Sequence, residues 1–178
     1  MSFLDILAKA MRESTSPSPR ILEERSTREE RIAIHNKEAD EVVKMGACAT
    51  PVLTTLDFMR KARGVTSVPL SSLRSISLSE LEVDKTHRGC AVYCRIASRV
   101  IMMSSAMVLV EDDNGAIISL AVYGALNRNE LKEGRTIAIK EPFYKMRSDG
   151  TEGIRVDDPF DIVFDGKELP GTATTNSQ

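Results

Sequence analysis

Residues 103–123, MSSAMVLVEDDNGAIISLAVY, decide the fold. Two apolar runs flank Asp112-Asp113-Asn114-Gly115, and Asn-Gly tolerates the positive φ angles that a tight hairpin requires. Residues 103–111 and 116–123 are therefore expected as paired strands. Side chains alternate along a strand, so Ile118, Leu120 and Val122 are expected inward and Val108, Val110, Ser119 and Ala121 outward. Upstream, residues 87–97 place Val92, Cys94 and Ile96 on one side and Tyr93 and Arg95 on the other. Downstream, residues 125–132 suit a helix, and Glu133-Gly134 turns the chain into a fourth strand over 135–146. Ser148-Asp149-Gly150 turns it again into a fifth over 154–164, where Pro159 must sit at an edge or bulge. Five strands with a helical interval between the third and fourth have the spacing of an OB-type β-barrel. Such a barrel is a platform for binding and brings no catalytic group of its own.

The remainder of the chain makes the fold class α+β, a helical N-terminal segment followed by the barrel. Residues 1–70 read as helix with linker, 71–165 as the OB-like barrel and 166–178 as a polar, disordered tail. Within the first segment, residues 1–13 are amphipathic and Ser14-Thr15-Ser16-Pro17-Ser18-Pro19 is a linker that cannot sustain a helix. Ser26 and Glu29 have the spacing of a capping box for a helix carrying Ile32, Ala39, Val42 and Val43 near one face. Asp40 before Lys44 is an i,i+4 pair, worth ~0.2–0.5 kcal/mol. Thr50-Pro51 starts another helix over 52–63, whose Leu53, Leu56 and Met59 are apolar.

Composition narrows the function. Hydrophobic residues make up 42%, enough for a core, and the formal net charge is −2. Residues 71–164 hold 12 Lys and Arg against 14 Asp and Glu, a field of the wrong sign for phosphate attraction. Aromatic residues are only 4%, with no Trp, and stacking is the main way an OB barrel holds a single strand. Three cysteines (Cys48, Cys90, Cys94) form no disulfide framework, which fits a reducing compartment, cytoplasmic or nuclear. No run approaches the roughly 20 apolar residues of a membrane helix.

No catalytic constellation emerges. Cys90 and Cys94 on one strand lie ~13 Å apart at ~3.3 Å per residue, too far for one tetrahedral zinc, so they and His87 are not a metal site. Glu111, Asp112 and Asp113 read as a solvated hairpin tip without calcium-loop spacing. Ser104 and Ser105 with His87 lack any nucleophile elbow, and His35 reads as a residue on a solvated helix. No catalytic residue, metal or cofactor is therefore expected. The candidate binding groove comes from the two loops that OB barrels use. Arg95 and Arg99 lie at the first, and Lys145 and Arg147 lead into the second, with Tyr123 and Tyr144 as stacking platforms.

Several short motifs carry a resemblance. His87-Arg88-Gly89, Val110 to Gly115, Leu120-Ala121-Val122-Tyr123, Ile139-Lys140-Glu141-Pro142-Phe143-Tyr144-Lys145 and Ile154-Arg155-Val156-Asp157-Asp158-Pro159 resemble the N-terminal region of fungal and plant proteins that carry TPR repeats and a SET domain. The resemblance covers residues 75–164. It implies an accessory OB-like region followed, in those proteins, by TPR helices and a SET methyltransferase domain that binds S-adenosylmethionine. This chain contains no Asn-His-Ser-Cys-like cofactor motif and no 34-residue helical repeat, so methyltransferase activity is not carried over. The expectation is a non-catalytic binding or scaffolding module with a protein partner. The alternatives are a single-stranded nucleic-acid-binding OB domain, or the N-terminal fragment of a SET-type protein lysine methyltransferase.

Overall fold

The computed structural model describes residues 26–46, 68–124, 129–147 and 149–167. The expected helices over 1–13 and 52–63, the 14–19 linker, Cys48 and most of the tail lie outside them. Helix α1 is Arg28–Lys44. Its capping box is Thr27 with Glu30, one residue later than expected: Thr27 Oγ1 accepts from Glu30 N at 3.3 Å, and Glu30 Oε2 accepts from Thr27 N at 2.8 Å. Thr27 can cap because its own backbone is extended, at ψ 164°.

The strands are β1 Arg74–Ile76, β2 Lys85–Thr86, β3 Cys90–Ile96, β4 Ile101–Met102, β5 Ala106–Glu111, β6 Ile117–Val122, β7 Thr136–Lys140, β8 Phe143–Met146, β9 Glu152–Val156 and β10 Ile162–Phe164. Ten segments stand where five strands were expected. Their pairing follows β10-β7-β3-β5-β6-β9-β8-β2, with β1 parallel on β3 and β4 on β5, and this path has two open ends. Two local breaks account for much of the difference. The expected fourth strand is split at Glu141-Pro142, where Glu141 takes φ 44° and its carboxylate accepts the Gly89 N–H at 2.9 Å. Pro142 has no N–H to offer the ladder. The expected fifth strand is split as well: β9 ends at Val156, Pro159 opens a 3-10 turn over Pro159–Asp161, and β10 returns antiparallel to β7. Of the expected helix over 125–132, the described residues 129–131 form turn and bend rather than helix.

The hairpin corrects the expected outward face. Register pairs Val108 with Leu120 and Val110 with Ile118. Directly opposed residues share a face, so the inward placement of Leu120 carries Val108 and Val110 in with it, and both are 0% exposed. The core joins them to Val92, Ile96, Ile139 and Ile154. On β3, Val92, Cys94 and Ile96 point inward and Tyr93 and Arg95 outward, as the alternation predicts. Burial pushes the Cys94 thiol up to about 12, which keeps it an inert core thiol.

Candidate binding face

The outer face of β5 and β6 carries Met107, Leu109, Ser119 and Ala121, the side opposite the core. One flank is the β3–β5 connection, residues 97–105. Ser98 pins it to the sheet: its Oγ accepts the Leu109 N–H at 2.8 Å, and the Ala97 N–H donates to the Leu109 carbonyl at 2.8 Å. The other flank is the β8–β9 turn. There Asp149 Oδ1 accepts from Thr151 N at 3.0 Å and from Thr151 Oγ1 at 2.6 Å, and Arg147 N donates to the Thr151 carbonyl.

Helix α1 lies across this face. At its N-terminal end Arg28 forks onto Glu111, with Nη2 at 2.7 Å from Oε2 and Nε on Oε1. One turn on, Arg31 Nη1 donates to the Ile117 carbonyl at 2.8 Å. His35 Nε2 lies 3.1 Å from the Arg99 carbonyl, and Asn36 Oδ1 accepts the Arg99 N–H at 2.9 Å. At the far end Asp40 takes the Arg99 guanidinium in a two-point pair, at 2.6 and 2.9 Å. Both partners of that pair are about half exposed, so it is worth only ~0.2–1 kcal/mol. Apolar burial adds little, because Ala39 is the only described residue of α1 that is fully buried. A cavity of about 360 Å³ remains between helix and sheet, lined by Arg31, Ile34, His35, Leu109, Ser119 and Arg147.

The electrostatics follow from this placement. Glu111 is 7% exposed, and its hydrogen bonds with Arg28 and then Arg95 hold its carboxyl below the usual range despite burial. The expected solvated tip is thus only partly solvated: Asp113 is exposed, whereas Asp112 is buried and its Oδ2 accepts the Leu78 N–H at 2.9 Å. His35 is half-buried rather than simply solvated, with its ring on the Arg99 carbonyl; burial lowers its pKa, and the nearby Arg147 charge lowers it further. His87 is buried and structural, with Nε2 accepting the Glu82 N–H at 3.0 Å.

Three of the six candidate groove residues meet at this face. Arg99 and Arg147 flank α1, and Arg95 sits at its N-terminal end, 3.4 Å from Glu111. Arg147 reaches across the sheet, with Nη1 3.0 Å from Ser119 Oγ and Nη2 3.5 Å from Met107 Sδ. Tyr123 lies beyond the opposite end of β6 from Glu111, under the Arg155 guanidinium at 4.5 Å from the ring centroid. Lys145 is half-buried on β8 opposite Gly153. Tyr144 is not a stacking platform. It is 7% exposed, belongs to the core, and donates its hydroxyl to Glu152 at 2.7 Å. Arg28, Arg31, His35, Asn36 and Asp40 have a legible helical spacing, but nothing in the sequence names the surface they meet. Among the described residues, no group of three or more His, Cys, Asp or Glu is placed to hold a metal.

The Tetratricopeptide repeat protein 5 OB fold domain family matches residues 72–178. The chain belongs to this family. The matched residues carry the many-stranded sheet, and the one described helix, Arg28–Lys44, precedes them. A protein named "Methyltransferase" from Gibberella zeae is 32% identical over 103 residues, which are 54% of this chain and 14% of that protein. The chain therefore spans only a small part of that relative. Among solved structures, Schizosaccharomyces pombe Pot1pC bound to single-stranded DNA is similar over 55% of this chain and 88% of that one, at 11% identity and a TM-score of 0.41. An OB domain from Methanosarcina mazei is similar over 54% and 87%, at 12% identity and a TM-score of 0.39. Among the described residues, no helix is long and apolar enough to cross a membrane.

Proposed function

We propose that this chain is a non-catalytic OB-fold binding module whose partner is protein, serving as the accessory region of a TPR- and SET-type methyltransferase. The observation that carries this reading is the occupation of the β5–β6 face by α1, between the two loops that OB domains use for oligonucleotides. A face that accepts a helix through Glu111, the Ile117 carbonyl and Arg99 has the chemistry of a protein contact. We further read β7 and β8 as one strand bent at Glu141-Pro142. Then β3-β5-β6-β9-β8/β7 returns to β3 and forms the five-stranded barrel.

The second reading, single-stranded nucleic acid, is favoured by Arg99 and Arg147 on the two flanks. Fluorescence anisotropy with labelled oligo-dT and oligo-U at low ionic strength separates the two. The full chain is expected to give no change, and saturable binding in the micromolar range would overturn the protein reading. Reading the gene beyond Gln178 for tetratricopeptide and SET coding sequence tests the methyltransferase context.

A further inference from the structure

We propose that the β5–β6 face is a receptor for an amphipathic helix presented by another protein, with α1 as its resident and exchangeable occupant. The inference rests on the protein-binding reading and names the partner's chemistry. Three features of the docking carry it.

The first is its polarity. Arg28, Arg31, His35, Asn36 and Asp40 make the contacts, and Ala39 alone is fully buried on α1. A helix that belongs permanently to a core buries an apolar stripe. One held at its far end by a half-exposed charge pair is loosened there by salt and by competing charges.

The second is the fit. The cavity of about 360 Å³ beside α1 leaves Ile34 50% exposed, although it lies on the cavity wall with Leu109. A helix carrying larger apolar side chains at the positions of Ile34 and of Glu38, which also lines the cavity, fills that space.

The third is the charge pattern. Glu111 at one end of the face takes a cation, and Arg99 at the other takes a carboxylate, 12 residues apart on the helix. At 1.5 Å per residue this spacing corresponds to ~18 Å. The partner is therefore a helix with cations three residues apart in its first turn, apolar residues along the middle, and a carboxylate about three turns on. Helix-in-groove recognition reads anchors spaced in this way.

Covalent attachment presents α1 at an effective concentration of the order of millimolar, so the test loosens it first. The full chain carrying Arg28→Glu with Asp40→Ala is titrated with a fluorescein-labelled peptide of residues 26–46, and its fold is checked by the melting curve. The loosened chain is expected to capture the peptide at least tenfold more tightly than the wild type, with affinity falling as salt rises. Adding Arg99→Asp should abolish capture, and a peptide with Asp40→Lys should restore it. A folded, loosened chain that ignores the peptide overturns the inference, as does capture indifferent to Arg99→Asp. If oligo-dT binds the loosened chain in place of the peptide, the protein-binding reading falls with it. If neither binds, the helix inference alone falls.

Discussion

Gly153→Ala tests a close backbone approach between β6 and β9. Gly153 lies on β9 directly opposite Ser119 of β6, in the parallel pairing that joins the hairpin to β9. A Cβ added there would come within 2.9 Å of the Ser119 carbonyl oxygen, 3.3 Å of Arg147 Cδ and 3.4 Å of Ser119 Cβ. The Arg147 side chain can swing away, but the Ser119 carbonyl is backbone within a ladder and cannot do so without spreading β6 from β9. Overpacking of this kind costs ~1–3 kcal/mol. Alanine also narrows the unfolded ensemble, which returns ~0.4–1 kcal/mol. The clash therefore wins, with a net loss of about 1.5 kcal/mol and a fall in Tm of ~6–12 °C for a domain of this size. Thermal melts followed by circular dichroism, with urea unfolding as a second measure, read the change. A Tm equal to or above that of the wild type would show that β6 and β9 do not meet in this register.

Tyr144→Phe removes the hydroxyl that donates to Glu152 at 2.7 Å while keeping the ring in the core. Urea unfolding should show a loss of about 0.5–1.5 kcal/mol, and a neutral result would return Tyr144 to the surface. His35 sets a pH dependence. Its folded-state pKa is lowered by burial and by Arg147, so the unfolded chain binds a proton more readily than the folded one. The stability this contributes is fully present above the unfolded value of roughly 6.5 and is lost as pH falls from there toward the folded value. Tm should therefore drop between neutral pH and mildly acidic pH, and drop less in His35→Gln. An identical pH profile in the variant would remove His35 from the account. Glu111, held low by Arg28 and Arg95, adds its own loss at lower pH, beginning as pH falls through the ordinary carboxylate range and completed below it.

The strands of the hairpin, their alternation on β3 and the start of α1 were legible in the sequence because each depends on neighbours within a few residues. Asn114-Gly115 favours the turn wherever it falls in a fold, and Val92, Cys94 and Ile96 share a face of any strand that contains them. The breaks at Glu141-Pro142 and Pro159 were signalled by proline, yet each was read as a single strand because periodicity continues on both sides. The face of Val108 and Val110 is not legible for a different reason: β5 is apolar at nearly every position, so its alternation contains no phase. Only the cross-strand register with β6 supplies one.

What the sequence determined by itself was local: the two strands of the hairpin with their turn, the inward side of β3, and an OB-type fold. What tertiary structure alone decided was which surface α1 covers. Arg28 and Glu111 are 83 residues apart in the chain, and Asp40 and Arg99 are 59. A charge carries no label for its distant partner. The pairing exists only once β5, β6 and the two flanking loops have been brought together to form the face on which the helix lies.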